Sequence, residues 1–293
     1  MKFGQVEDPS KIDFTLPKDH PKTKEILGKS KGKEMNIYVG CAKWNKTDLK
    51  GFYPKGTKDE LSYYATQFNS IELNATFYGM PSPEQVLTWK EKTPKDFKFF
   101  PKITNTVSHF RRLLNVTDVV TDYATSVLNF GDKLGMVFLQ LHDNFKPKDF
   151  ERVEKFVKDW PKEVPLAIEV RSAEWFEEEH WNKFCQLLED NNMTNIIVDT
   201  AGRRDMMHMR LTSDTAFIRY VGANAESDYA RLDDWIERIK IWKKEGLKNL
   251  YFFVHQNVEK ASPLLSAYFI EKLNAEFGTE IQIPKMATPQ TLF

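Results

Sequence analysis

Eight short apolar runs punctuate the chain, centred near Ile37, Ile71, Phe99, Val137, Ala167, Ile197, Phe217 and Phe252, and each gives way to polar or ionisable residues at its end. The segments between them carry apolar residues at the three-to-four spacing of amphipathic helices. Lys58 to Phe68 has such residues at 61, 64, 65 and 68; Phe150, Val153, Phe156, Val157 and Trp160 make a second stripe. A third, Trp181, Phe184, Leu187 and Leu188, stops at Asn191 and Asn192, which tolerate the left-handed backbone of a helix end. Further helices are expected from about Pro83, from Thr117 to Phe130, and from a capping Asp228 to Gly246. Alternation of this kind predicts an α/β fold, a parallel (β/α)8 TIM barrel whose chemistry sits on the loops after its strands. The weakest joint lies between NIIVDT and AFIRYV, where about fifteen residues leave little room for a crossover helix.

At 293 residues the chain suits one such domain, assigned to 35–293. Residues 1–34, rich in Lys, Pro and Asp, read as an extension that packs loosely or is partly disordered and holds no catalytic residue.

Successive strand residues face opposite sides, so a polar residue between two apolar ones is turned away from the covering helices. That parity aims Glu72 and Asn74, Glu169 and Arg171, and Asp199 into the barrel, with Ile71, Leu73, Ile168, Val170, Ile196 and Val198 against the helices. Lys102, Gln140, Arg219 and His255 are the inward candidates of four further strands. All lie late in their strands, where the interior opens. A purely structural ion-pair network would account for them too, since buried charges must be paired. Apolar residues would stabilise such positions as well or better, which favours function.

Forty-two basic and forty-two acidic side chains cancel, removing any long-range attraction for nucleic acid or an anionic membrane. The start lacks the apolar core of a signal peptide, and no apolar run is long enough to span a bilayer. Two cysteines, Cys41 and Cys185, offer neither a disulfide framework nor zinc-site spacing, so a soluble cytoplasmic protein is expected. There is no glycine-rich phosphate loop, GxSxG or HExxH.

Distributed landmarks resemble the YecE-like family, domain of unknown function 72. They are Gly40 with Trp44, Phe52-Tyr53-Pro54, Glu72 to Tyr78 followed by Pro81, Trp89 with Thr93-Pro94, Phe97, Phe99 and Lys102. His109, Leu139-Gln140-Leu141 with Phe145, Glu169-x-Arg171 with Trp175-Phe176, Asp199, Arg219, Gly222 and Asn257 continue the likeness from about Ile37 to Asn257. The resemblance implies a TIM-barrel fold and no particular reaction. His142, Val221 and His255-Gln256 depart from the family pattern, where Pro, His and Phe-Asn are usual.

The leading expectation is an enzyme that applies acid-base chemistry to a small anionic substrate, such as a phosphorylated sugar. Glu72, Glu169 and Asp199 are the catalytic candidates, the two glutamates transferring protons and Asp199 fixing a cation or a basic neighbour. Lys102, His109, Arg171 and Arg219 would bind the anion, and Asn74, Gln140 and Asn257 would orient it. Trp44, Tyr78 and Trp175 follow strands and could stack on a sugar or base. His109, Arg111 and Arg112 form a basic loop, and Lys102 could form a Schiff base if desolvated. A metal set drawn from Glu72, Glu169, Asp199 and His255 has no tight spacing, and neither metal nor cofactor is assigned. Metal-assisted nucleic-acid cleavage and a non-catalytic ligand-binding barrel are the alternatives.

Overall fold

The computed structural model describes residues 4–30 and 34–287; the rest of the extension and of the carboxyl-terminal segment lies outside the described residues. Among the described residues eight strands form: β1 (Asn36–Cys41), β2 (Ser70–Leu73), β3 (Lys98–Pro101), β4 (Val137–Gln140), β5 (Leu166–Glu169), β6 (Thr194–Thr200), β7 (Thr215–Gly222) and β8 (Asn249–Gln256). They pair in parallel as a six-stranded curled sheet, β1-β8-β7-β6-β5-β4, and a two-stranded sheet, β2-β3. The helices are α1 (Pro21–Gly28), α2 (Glu60–Gln67), α3 (Ala75–Tyr78), α4 (Pro83–Glu91), α5 (Thr117–Val127), α6 (Phe150–Asp159), α7 (Glu178–Asp190), α8 (Ser227–Glu245) and α9 (Ser262–Phe277). Asn192 is left-handed just past α7, and Gly246 has a positive φ past α8, as helix ends there require.

The two sheets meet at two seams. At one, Gly135 N–H donates to the Phe99 carbonyl at 2.8 Å and Ile103 N–H to the Phe138 carbonyl at 2.9 Å, linking β3 to β4. At the other, side chains bridge β1 and β2: Asn69 accepts from Val39 N–H and donates to the Ile37 carbonyl, and the Tyr64 hydroxyl accepts from Cys41 N–H and donates to the Ser70 carbonyl. A Cβ at position 40 would lie 2.3 Å from the Ser70 carbonyl oxygen, so this close approach requires glycine.

Enclosed by the strands, Phe100, Phe138, Phe217, Tyr251 and Phe253 pack with Met136, Ala167, Ile196 and Val198. The opposite faces of the strands bury Ile168 and Val170, and Ile197 and Phe252, in two larger clusters shared with the helices. Cys41 and Cys185 are buried free thiols.

Two expectations are corrected here. The described part of the extension does not pack loosely at α1, which buries Thr23, Ile26 and Leu27, with the Thr23 hydroxyl donating to the Met209 carbonyl and accepting from Leu211 N–H. Only a 3-10 segment, Ala201–Met206, and extended chain join β6 to β7, and α1 packs where a crossover helix would otherwise cover the sheet. The parity assigned to β6 is reversed. Val198 is paired with Arg219 and shares its face, whereas Asp199 is paired with Tyr220 and turns toward the helices.

Candidate functional site

Beyond the enclosed aromatic layer, the carboxyl ends of the strands present polar residues on the same inner face. Glu72 follows from β2, Lys102 from just after β3, Gln140 from β4, Glu169 from β5, Arg219 from β7 and His255 from β8. Parallel register sets Gln140 beside Glu169, so two residues distant in sequence meet because their strands are neighbours.

Arg219 is the hub. Its Nε and Nη2 each donate at 2.8 Å to the two oxygens of Glu72, and Nη1 donates at 2.6 Å to Glu169 Oε2. A planar guanidinium is suited to this two-pronged grip. Asn74 Nδ2 donates to Glu72 Oε1 at 2.8 Å, and His255 Nε2 lies 3.1 Å from Glu72 Oε2. Glu169 Oε1 accepts from Gln140 Nε2 at 2.9 Å and from Arg171 Nε at 2.5 Å; Arg171 also approaches Asp143 at 3.5 Å. The Gln140 amide, turned by Glu169, presents its oxygen to Lys102 Nζ at 2.8 Å.

Both carboxylates are buried, Glu72 at 0% and Glu169 at 1% exposure, so unpaired they would be strongly destabilising. Burial pushes the Glu72 carboxyl upward, but Arg219 and His255 outweigh it and hold the group well below the usual carboxylate range. Burial is likewise overcome at Glu169, which Arg219 and Arg171 lower to about 2. Lys102 behaves oppositely. Burial, with Arg219 nearby, lowers its ammonium to about 7. Its Nζ sits 4.1 Å from the Phe77 ring centre, and no carboxylate among the described residues comes within 4.0 Å of it.

With Glu169 set behind the wall, the other groups border a cavity of about 410 Å³. Lys43, Lys102, Arg171, Arg219 and His255 line it together with Glu72, Asn74 and Gln140, and Trp44 and Tyr78 stand at its apolar side. Lys43 and His255 were not among the binding residues expected from sequence. His255 is detectable by strand parity, whereas Lys43 lies on the loop after β1, where no periodicity marks orientation.

Other expected residues lie elsewhere. Asp199 accepts from Trp235 Nε1 at 2.8 Å and pairs with Arg231 at 2.9 Å and Arg204 at 2.5 Å, anchoring α8 beneath β6. Trp175 is fully buried, stacks on Phe145 and donates to the Phe145 carbonyl at 2.7 Å, as a core tryptophan should. Asn257 is outside the cavity lining, and so is His109, which is packed between Phe77 and His142 and lowered to about 4 by burial and the neighbouring His142. The basic loop is largely neutralised: Arg111 pairs with Asp118 at 2.7 Å, and Arg112 reaches Asn144 and Asp149. Among the described residues, no three His, Cys, Asp or Glu side chains gather as a metal-binding set, and no helix is long and apolar enough to cross a membrane.

The chain is 27% identical over 281 residues to the UPF0759 protein YecE of Escherichia coli K12, covering 86% of this chain and 99% of that one. UPF0759 protein YunF of Bacillus subtilis is 27% identical over 150 residues, 48% of this chain and 52% of its own. A solved DUF72 family protein from Thermotoga maritima is 26% identical, with a TM-score of 0.69 over 82% of this chain and 99% of that one. One from Enterococcus faecalis is 18% identical, with a TM-score of 0.69 over 85% and 98%. The family model described as a protein of unknown function, DUF72, matches residues 38–290, and with that match over most of its length the chain belongs to the DUF72 family.

Proposed function

We propose that the two sheets form one eight-stranded (β/α)8 ring whose mouth is the active site of an enzyme acting on a small anionic molecule, phosphorylated or sugar-like, by acid-base chemistry. The backbone bonds at the β3–β4 seam and the Asn69 and Tyr64 bridges at the β1–β2 seam support the ring. The reading is carried by one observation: the cavity draws Lys43, Lys102, Arg171 and Arg219 to its wall against the single lining carboxylate, Glu72. Glu169 answers Arg219 and Arg171 from behind the wall and Asp48 answers Lys43 at 3.3 Å, so what favours an anion is that the cationic groups line the cavity while these carboxylates do not, and guanidinium groups match carboxylate and phosphate geometry.

Proton transfer at neutral pH is best served by a group that titrates near 7. Lys102, at about 7, suits that task, whereas Glu169, held at about 2, is a weak base. Glu72 and Glu169 are therefore assigned to fixing Arg219 and Gln140, and Lys102 to moving the proton. Trp44 and Tyr78 offer faces for the apolar side of a sugar ring. The neutral overall charge and the paired state of Arg111 and Arg112 weigh against nucleic acid as substrate.

Thermal-shift screening of sugar phosphates, small carboxylates and neutral sugars tests this, with mass spectrometry for turnover. An anionic compound should raise Tm in proportion to saturation, a hundredfold excess over Kd adding about 2.7 kcal/mol, and should be converted to product. Stabilisation by neutral sugars alone would overturn the anionic reading. A ligand recovered unchanged after long incubation would replace catalysis by binding.

A further inference from the structure

We propose that Lys102 is a nucleophile that forms a Schiff base with a small aldehyde or ketone carrying a carboxylate or phosphate, an inference that rests on the anionic reading of the cavity. Three features of the geometry support it. Lys102 is only 7% exposed, yet it lines a cavity large enough for a small metabolite, so a carbonyl compound can reach it while bulk water is largely kept away. Its Nζ touches a neutral amide oxygen and an aromatic face and is in no ion pair; Glu169 and Glu72, farther off, favour the ammonium, and burial outweighs them. The nearby guanidinium groups of Arg219 and Arg171 oppose its charge, and an amine activated by desolvation and neighbouring cations is one established form of nucleophilic lysine.

The contact with Gln140 has a further consequence. Gln140 Nε2 donates to Glu169, and this fixes the amide with its oxygen toward Lys102. A neutral amine keeps a partner for one N–H and points its lone pair elsewhere. A protonated imine has a single N–H, which the same oxygen can accept, so the Glu72–Arg219–Glu169–Gln140 chain is built to hold both the reactant amine and the iminium product.

The step balances without a co-reactant. The neutral amine nitrogen bonds to the carbonyl carbon, the C=O π pair takes up a proton, and nitrogen loses one, giving a carbinolamine. Its hydroxyl then leaves as water with a second proton while the nitrogen lone pair forms C=N. Counted from the ammonium form, one ammonium and one carbonyl give one iminium and one water. Such an adduct acidifies the adjacent C–H and accepts, as an enamine, the electron pair released when an adjacent C–C bond breaks, which places the reaction among aldol, dehydration or decarboxylation steps.

Reductive trapping with cyanoborohydride near pH 7 tests this on the full-length protein, using glyoxylate and pyruvate as anionic probes and propanal as a neutral one. At that pH roughly a thousandfold more of the Lys102 amine than of an exposed lysine is neutral, and peptide mapping should find Lys102 modified at least tenfold faster than the surface lysines. Lys102→Met should retain the fold and lose the fast adduct. Lys102 modified no faster than surface lysines by every probe overturns the Schiff base, even if glyoxylate still raises Tm and the anion site stands. Fast trapping by propanal with no advantage for the anions supports the Schiff base and removes the anionic reading.

Discussion

Replacing Arg219 by Met removes the guanidinium that joins Glu72 to Glu169 and leaves an apolar chain of similar length on the Phe138 ring, over which the guanidinium carbon now sits at 5.5 Å. Breaking a buried pair costs about 3–5 kcal/mol because the orphaned charge stays desolvated. Here two carboxylates are orphaned together. Each has an escape, since it can protonate, and at pH 7 neutralising a carboxyl with an ordinary value of ~4.3 costs about 4 kcal/mol. The remaining partners, Asn74 and His255 for Glu72 and Gln140 and Arg171 for Glu169, lower the cost of staying ionised. A total of about 4–6 kcal/mol at neutral pH follows. The sign of its pH dependence is fixed. In the wild type Glu169 is depressed to about 2, so its stabilisation, about 3 kcal/mol, is present above the unfolded value near 4.3 and is lost as pH falls through about 2. In the variant that contribution shrinks, so the gap between the two proteins should be widest above about pH 7 and narrow markedly toward about pH 4. Urea unfolding followed by tryptophan fluorescence at several pH values measures it. A cost below about 1 kcal/mol, or one that does not change with pH, would refute the buried Glu–Arg–Glu arrangement.

Other predictions follow from the same contacts. Lys102→Met should stabilise the fold by up to about 4 kcal/mol below pH 7; the lysine's lowered value makes its charged form a full penalty there that fades as pH rises toward ~10, so the gain should vanish in alkali when thermal unfolding is followed against pH. Leu27→Ala should cost about 2–4 kcal/mol in denaturant titration, because Leu27 is fully buried between the extension and the helical layer; a loss under about 0.5 kcal/mol would mean the extension does not dock. Asp199→Asn should cost about 2–4 kcal/mol, since Arg204 loses its carboxylate partner and buried Arg231 keeps only Asp228, while any ligand affinity measured at the cavity stays within twofold. A large affinity loss would put Asp199 back among the site residues.

Strand parity reads the site well where one face of a strand is distinctly polar at its end. Glu72 between Ile71 and Leu73, and Glu169 between Ile168 and Val170, leave no ambiguity, and both lie on the cavity side. It fails on β6 because Ile196, Ile197 and Val198 run consecutively, so no apolar-polar alternation sets the phase of the strand. The polar residue at its end is satisfied under the helices by Trp235 and Arg231, partners more than thirty positions away. The short link from β6 to β7 signals an irregular joint, but nothing local shows that α1 fills it from the other end of the chain. For the same reason the basic loop is misleading in sequence: Arg112 is answered by Asn144 and Asp149 from the loop after β4. What each charged group pairs with is set by neighbours in space, and those are not neighbours in sequence.

The central claim, that the cation-rich cavity at the strand ends takes a small anionic molecule through Lys102, is tested most directly by capture from a metabolite extract. Wild-type protein and Lys102→Met are exposed to the same extract, washed, denatured, and the released small molecules compared by mass spectrometry. A carboxylated or phosphorylated compound should be enriched by the wild type and reduced at least tenfold on the variant. Equal enrichment on both proteins, or enrichment of uncharged compounds alone, would contradict that claim.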